Sequence, residues 1–269
     1  PQRICARRWS SSLRAKGALV EGDPGMMAQG AGSGAGGGKS DLLVRVVSAI
    51  VMLAIAAAAF RAGGRVLDVF VGLVAFGVFV EYVRLVSRIA DNPARLGSMV
   101  IAGAVYIGWA GLALVVMPEP MMLAVLGLVI CTDTGAYFTG RAIGGPKIAP
   151  AISPSKTWAG LLGGMAAAGL WTGGVVLFAG YILSSFGPTG PSLAAALEAT
   201  NVGMATIAGA VLAVFAQMGD FYESWLKRRA GVKDSSRLIP GHGGLFDRVD
   251  GLLPVSIIVG TAWAAGQVG

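Results

Sequence analysis

Apolar runs of about twenty residues alternate with short polar connections along most of this chain. Seven runs can be read, at 42–60 (LLVRVVSAIVMLAIAAAAF), 66–86, 97–117, 120–140, 158–183, 202–222 and 251–268. They are continuous and do not alternate with a period of two, so they predict helices rather than barrel strands. At 1.5 Å per residue, about 20 apolar residues cross a hydrocarbon core of about 30 Å. The expected fold is therefore all-α: a polytopic integral membrane protein with about 7 transmembrane helices, within a range of about 6 to 9. The run at 158–183 is long enough to tilt or to contain a break.

Composition agrees with this pattern. The chain has 269 residues, 55% hydrophobic and 13% charged, against about 25% charged in a soluble domain. The net charge of +7 does not require nucleic acid. Its basic residues fall where membrane topology places them. Arg84, Arg88 and Arg95 follow the second run, and Arg141, Lys147 and Lys156 separate the fourth from the fifth. Lys227, Arg228, Arg229, Lys233, Arg237 and Arg248 separate the sixth from the seventh. The connections after the third and fifth runs carry no Lys or Arg. The positive-inside rule then puts the N-terminus and the polar loops in the cytoplasm and the C-terminus outside. Arg61 and Arg65 oppose this orientation, but they are outnumbered and long enough to snorkel.

Residues 1–40 are rich in Arg, Ser and Gly and read as a disordered leader, with 41–269 as the membrane domain. Met26 and Met27 follow a polar stretch, so part of the leader reads as an upstream or tag-like extension. It has no apolar h-region of the kind a secretory signal carries. Glu21 and Asp23 weigh against a transit peptide. The stretch SGAGGGKS (33–40) imitates a phosphate loop, but Ser33 stands where the first glycine belongs and no strand precedes it. Cys5 and Cys131, one in the leader and one inside an apolar run, suggest neither a disulfide framework nor, with one histidine, a zinc site.

Two connections on the same side hold most of the unusual polar residues. In CTDTGAYFTGRAIGGPKIAPAISPSKTWAG (131–160), Asp133 interrupts an apolar run. A carboxylate there is either a hydrogen-bonded structural group or the wall of a polar cavity. SPSKTW (153–158) looks like a helix start, with Ser or Pro as the cap and Lys156 near the first turn. Free N–H groups and an ammonium would then form an anion site, and the simpler reading is an ordinary cap with Trp158 at the interface. The second connection follows AQMGDFYESWLKRRAGVKD. If the helix continues through it, Asp220, Glu223 or Ser224, and Lys227 share one face at spacings of three and four. PGHGG (240–244) permits close backbone approach to a ligand, and DRVD (247–250) sets Asp247 and Asp250 one turn apart. Hard oxygen ligands, basic side chains and bare amides together suit Mg²⁺ and phosphate oxygens. Separately, the basic run 227–229 reads as a topology signal and His242 as a structural residue.

The stretch SWLKRRAGVKDSSRLIPGHGGLFDRVD (224–250) resembles the signature of the phosphatidate cytidylyltransferases, the CDP-diacylglycerol synthases. The resemblance rests on Ser224, Lys227, Arg228, Lys233, Asp234, Pro240, His242, Gly243, Gly244, Asp247, Arg248 and Asp250. DTGAYFTGR (133–141) and SPSKTWAG (153–160) resemble the same family, so the likeness covers about 41–269. Two positions depart from it: Ser155 stands where a basic residue is common, and Ala159 where an acid is common. The resemblance implies a polar, cytoplasm-facing cavity that admits lipid laterally. It also implies a reaction in which CTP and phosphatidic acid give CDP-diacylglycerol and pyrophosphate. It places Mg²⁺, with room for a monovalent cation such as K⁺, at Asp220 and Asp247. Lys227, Lys233, Asp234 and Asp250 join these two as catalytic candidates. Lys156, Ser224, Arg228, His242, Gly243, Gly244, Arg248 and Asp133 are candidates for substrate binding. The implied partners are CTP, phosphatidic acid and the bilayer, without nucleic acid and with a homodimer left open. The implied location is a bacterial inner membrane.

Two other readings compete. A CTP-dependent lipid or polyprenol kinase would share the nucleotide but transfer a different group. An ion-coupled transporter would string acids across several spans to the far side, whereas Asp133, Asp220 and Asp247 fall near one side.

Overall fold

The computed structural model describes residues 37–186, 200–236, 238–241 and 243–268. Most of the leader, the first half (33–36) of the phosphate-loop look-alike at 33–40, Cys5, Arg237 and His242 lie outside the described residues. The chain divides into two units, 1–47 and 48–269. The described part of the first is the opening of a helix; the second holds the bundle and the site.

Among the described residues, six helices are long and apolar enough to cross a membrane, and a shorter apolar helix follows them. In chain order the described helices are α1 (Gly37–Ala62), α2 (Gly64–Ile89), α3 (Pro93–Val116), α4 (Glu119–Ala142), α5 (Trp158–Ser184), α6 (Val202–Arg229), α7 (Phe246–Val249) and α8 (Leu252–Val268). Each of the seven apolar runs falls largely within one of these helices, because a chain in hydrocarbon must satisfy its backbone within each segment. Helix α1 begins at Gly37, within the expected leader. Once the apolar run has nucleated a helix, one more turn costs little and no proline stops it.

The polar ends of the helices carry local start signals. Asn92 caps α3, accepting from Arg95 N–H at 2.8 Å, with Pro93 in the first turn. Asn201 caps α6 and accepts from Met204 N–H at 3.0 Å. The segment expected to start α5 behaves differently. Ser153–Thr157 is a strand, β2, paired antiparallel with β1 (Lys147–Ala149), and Ala149 faces Ser153. The helix starts only at Trp158, and its cap is Thr157, whose Oγ1 accepts from Gly160 N–H at 3.0 Å. Lys156 therefore lies on a strand before the helix, not in its first turn. The reason is local: Ser155 and Lys156 are extended in the hairpin, and the first hydroxyl able to reach a helical N–H is that of Thr157.

α4 packs on α5, and α5 on α6, more extensively than any other pairs. Small residues make this possible: a Cβ on Gly135 would lie 2.6 Å from Ala167 Cβ and 2.7 Å from Gly163 O. Close backbone approach replaces the hydrophobic drive that lipid surroundings remove. A second cluster holds Tyr82 and Leu85 of α2, Ile107 of α3, Leu226 of α6 and Phe246 of α7. It anchors the short helix α7, and with it the polar loop before α8. Glu81 of α2 and Lys227 of α6 reach this loop through Ser235 and Asp247.

Candidate active site

The last three turns of α6 present Asp220, Glu223 and Lys227 on one face, as the spacing predicted. Of the two alternatives left open at that face, the structure selects Glu223: Lys227 Nζ lies 2.5 Å from Glu223 Oε2, while Ser224 is half-buried beside it. Lys227 also reaches Asp247 Oδ1 at 2.5 Å. Asp247 is a hub. Its Oδ2 accepts from Ser235 N–H at 3.0 Å and Gly244 N–H at 2.9 Å, and it shares the one Ser235 Oγ–H proton, at 2.8 Å, with Glu81. Burial raises the pKa of Asp247, but contact with Glu223 and the hydrogen bonds from Lys227, Gly244 and Ser235 outweigh it, so its carboxyl is held below the usual range.

The glycines of PGHGG have a definite task. Ile239 N–H donates to Gly243 O at 2.9 Å, closing a tight reversal in which Gly243 has φ +81°. A Cβ on Gly244 would sit 2.0 Å from Ser235 Oγ and 2.3 Å from Glu81 Oε2. The bare backbone therefore brings the loop down onto two side chains.

On the other side of α6, Lys156 of β2 donates to Asp220 Oδ2. Asp250 contacts Asp220 and feels Glu223, and its own Oδ1 accepts from Gly251 N–H at 2.8 Å. Burial, then repulsion from Asp220, pushes the Asp250 carboxyl well above its ordinary pKa. Asp133 of α4 is within electrostatic range of Asp220 and Lys156. The result is one array of two cations among four acids: Lys156, Asp220, Asp250, Glu223, Lys227 and Asp247. It joins residues 94 positions apart, from 156 on β2 to 250 before α8.

Other candidates stand outside that array. Arg228 is exposed and points to the hairpin, its Nε donating to Ile152 O at 3.4 Å. Lys233 and Asp234 are exposed, and Asp234 lies beside Gly243. Arg248 is exposed and borders an apolar cavity.

Sequence reading missed Glu81. This acid of α2 is 2% exposed. It accepts four hydrogen bonds from the polar loop: Ser235 Oγ–H at 2.8 Å, Ser236 Oγ–H at 2.6 Å, Leu245 N–H at 3.0 Å and Phe246 N–H at 2.9 Å. One carboxylate thus clamps both ends of the segment 235–246. The available signal was an acid inside the apolar run FGVFVEYVRL, the feature that drew attention to Asp133.

A family model described as the cytidylyltransferase family matches residues 99–264, which include every member of the array. The chain belongs to the cytidylyltransferase family. Among curated relatives of this family member, the phosphatidate cytidylyltransferase of Brucella melitensis is 42% identical over 164 residues, covering 59% of this chain and 54% of the relative. The one from Pseudomonas aeruginosa is 41% identical over 163 residues, with the same coverage. The one from Rickettsia prowazekii is 29% identical over 219 residues, covering 80% of this chain and 89% of the relative. The matches to the first two span about half the length of those relatives. Glu81 precedes the stretch that the cytidylyltransferase family model matches.

Proposed function

We propose that this chain transfers the cytidylyl group of CTP to phosphatidic acid, releasing pyrophosphate. A phosphate oxygen of the lipid attacks the α-phosphorus, and the bond from that phosphorus to the oxygen bridging it to the β-phosphate breaks. The attacking oxygen is already anionic, so no strong base is needed. The obstacle is repulsion between two polyanions. The observation that carries the reading is the array of two lysines and four acids at the end of α6, with Lys156 and Lys227 each paired to a carboxylate and ready to exchange it for phosphate oxygens.

Mg²⁺ fits the donor set. Among the described residues no three His, Cys, Asp or Glu side chains form a complete cage. Mg²⁺ usually takes one or two carboxylates and completes its shell with water and phosphate oxygens. Asp220 and Asp250, pressed together despite like charge, suit that role; Asp247 enters it only by giving up Lys227. When bound, the ion neutralises charge on the attacked phosphate and on leaving pyrophosphate. Of the chain's own residues, Lys156 and Lys227 hold phosphate oxygens, and Asp247, Ser235 and Gly244 hold the loop in register. Lys233, Arg228 and Arg248, exposed at the same end, receive the outer phosphates and the lipid headgroup, and Gly243 with His242 and Asp234 borders the nucleotide. A monovalent cation such as K⁺ is a second candidate for the acidic cluster. The site faces the cytoplasm of a bacterial inner membrane, an orientation supported by the basic loops at that end.

The test uses protein in detergent micelles with phosphatidic acid, Mg²⁺ and CTP labelled at the α-phosphate. Label in the lipid phase, matched by pyrophosphate in the aqueous phase and lost with EDTA, is the expected result. Lipid labelled only from γ-labelled CTP would establish a kinase instead. Label absent from lipid in both cases, with folded protein, would overturn the proposal.

A further inference from the structure

A cavity of about 650 Å³ lies between α1, α2, the end of α3, the start of α4 and the start of α8, and no member of the charged array lines it. Its lining is apolar except for Arg248. Its size falls in the range of about 300–1,000 Å³ typical of ligand sites. A packed protein interior leaves few voids larger than a water molecule, so a space of this size invites an occupant. An apolar void stays dry and takes apolar guests.

The cavity has two distinct ends. At one, Ala49 and Val78 meet Leu245 and Arg248 of the polar loop. Leu245 is pressed against α2 there: a Cβ on Gly77 would lie 2.6 Å from its Cδ1. At the other end, Phe60 and Leu67 flank the α1–α2 turn on the opposite side of the bundle. From residue 49 to residue 60 is eleven steps of α1, about 17 Å of helix rise. Half of a hydrocarbon core of about 30 Å is about 15 Å. The cavity is therefore about as long as one leaflet's acyl chain, and it runs from beside the signature loop, near the middle of α1, to the α1–α2 turn. One wall is thinly covered: α1 is the least buried span, at 6% against 22–33% for the other five.

We propose that this cavity binds one acyl chain of the lipid substrate, which enters from the bilayer past α1 and leaves its phosphate at the Arg248 end. The proposal rests on the lipid-phosphate reading above. Because Arg248 follows Asp247 directly, seating the chain brings the headgroup to the loop that Asp247 organises. The far wall, Phe60 and Leu67, then sets how long a chain is accepted. Arg248 serves as the headgroup's charge partner at the rim, and the apolar wall carries the length selectivity.

The test compares phosphatidic acids with octanoyl and palmitoyl chains in mixed micelles, together with the lipid that the purified protein retains, read by mass spectrometry. Ala56→Trp fills the middle of the cavity and Phe60→Ala lengthens it. Leu73→Trp, on the lipid-facing side of α2 where Leu73 is 65% exposed, serves as control. Ala56→Trp should lower the palmitoyl-to-octanoyl ratio of kcat/KM at least about tenfold and abolish retained phospholipid, and Phe60→Ala should move the optimum to longer chains. Ratios for both variants within twofold of Leu73→Trp would overturn the proposal. So would equal lipid retention in Ala56→Trp and parent. If Ala56→Trp does not fold, Phe60→Ala decides alone. If the parent transfers no cytidylyl group, the catalytic reading fails, and the cavity is judged on lipid retention.

Discussion

Replacing Glu81 by Gln tests whether the polar loop is held from within the membrane bundle. The side chain keeps its shape, but one carboxylate oxygen becomes an NH₂ group. Oε1 accepts from Ser236 Oγ–H and Leu245 N–H, and Oε2 from Ser235 Oγ–H and Phe246 N–H. Whichever way the amide turns, one backbone N–H faces another donor. The serine hydroxyl can rotate to accept from the new NH₂; the backbone cannot. A hydrogen bond to a charged group contributes about 1.5–3 kcal/mol, and a buried polar group left unpaired costs about 1–3 kcal/mol. One lost N–H bond with the weakening of its neighbours therefore amounts to about 2–4 kcal/mol. If the loop must hold this geometry for turnover, that is a factor of about 30 to 1,000 in rate, at about 1.4 kcal/mol per tenfold. The assay is cytidylyl transfer at saturating and limiting CTP, with hydrogen exchange at residues 245 and 246. Glu81→Gln should lose kcat and amide protection at both positions together, and Ser236→Ala should lose much less of either. A Glu81→Gln variant within threefold of the parent in rate and exchange would refute the clamp. A loss of thermal stability without faster local exchange would refute it as well, since the residue would then act on the bundle and not on the loop.

Four further outcomes follow from the same geometry. Lys227→Met leaves Glu223 and Asp247 buried without their cation, so unfolding in denaturant should show a loss of about 3–5 kcal/mol, with Lys227→Arg recovering part of it. Because the Asp247 carboxyl is held below its ordinary pKa, its contribution to stability is present above the unfolded value of about 3.9 and is lost as pH falls through the lower folded value. A melting curve should accordingly drop below about pH 4 in the parent and drop less in Asp247→Asn. Mg²⁺ should raise the thermal midpoint at neutral pH by relieving repulsion between Asp220 and Asp250, and Asp220→Asn or Asp250→Asn should abolish the rise. Gly219→Ala places a Cβ 2.1 Å from Asp250 O, an overpacking worth about 1–3 kcal/mol, and should weaken the Mg²⁺ effect by moving Asp250 off Asp220.

The helix count and bounds were legible in the residue pattern because they depend on segments that satisfy their own backbone. Each apolar run contains its hydrogen-bond partners within four residues, so no knowledge of the rest of the chain is needed. The face carrying Asp220, Glu223 and Lys227 was legible for the same reason. Where two neighbours competed, as Glu223 and Ser224 did, local spacing could not choose; the position of Asp247 relative to α6 chose. The strand at Ser153–Thr157 was read as a helix start because its cap-like residues are ambiguous over a few positions, and only pairing with Lys147–Ala149 resolves them.

Sequence alone therefore determined that this is a helical membrane protein of the cytidylyltransferase family with its polar residues gathered at one end. Tertiary structure decided which of those residues meet. Glu81 lies 154 and 165 residues from Ser235 and Phe246, and Lys156 lies 64 from Asp220. Contacts at such separations depend on how the helices pack, and that packing is fixed by small residues and apolar surfaces shared across the bundle. The apolar cavity belongs to the same class, since its walls come from segments of chain that are adjacent only once α1, α2, α3, α4 and α8 have assembled.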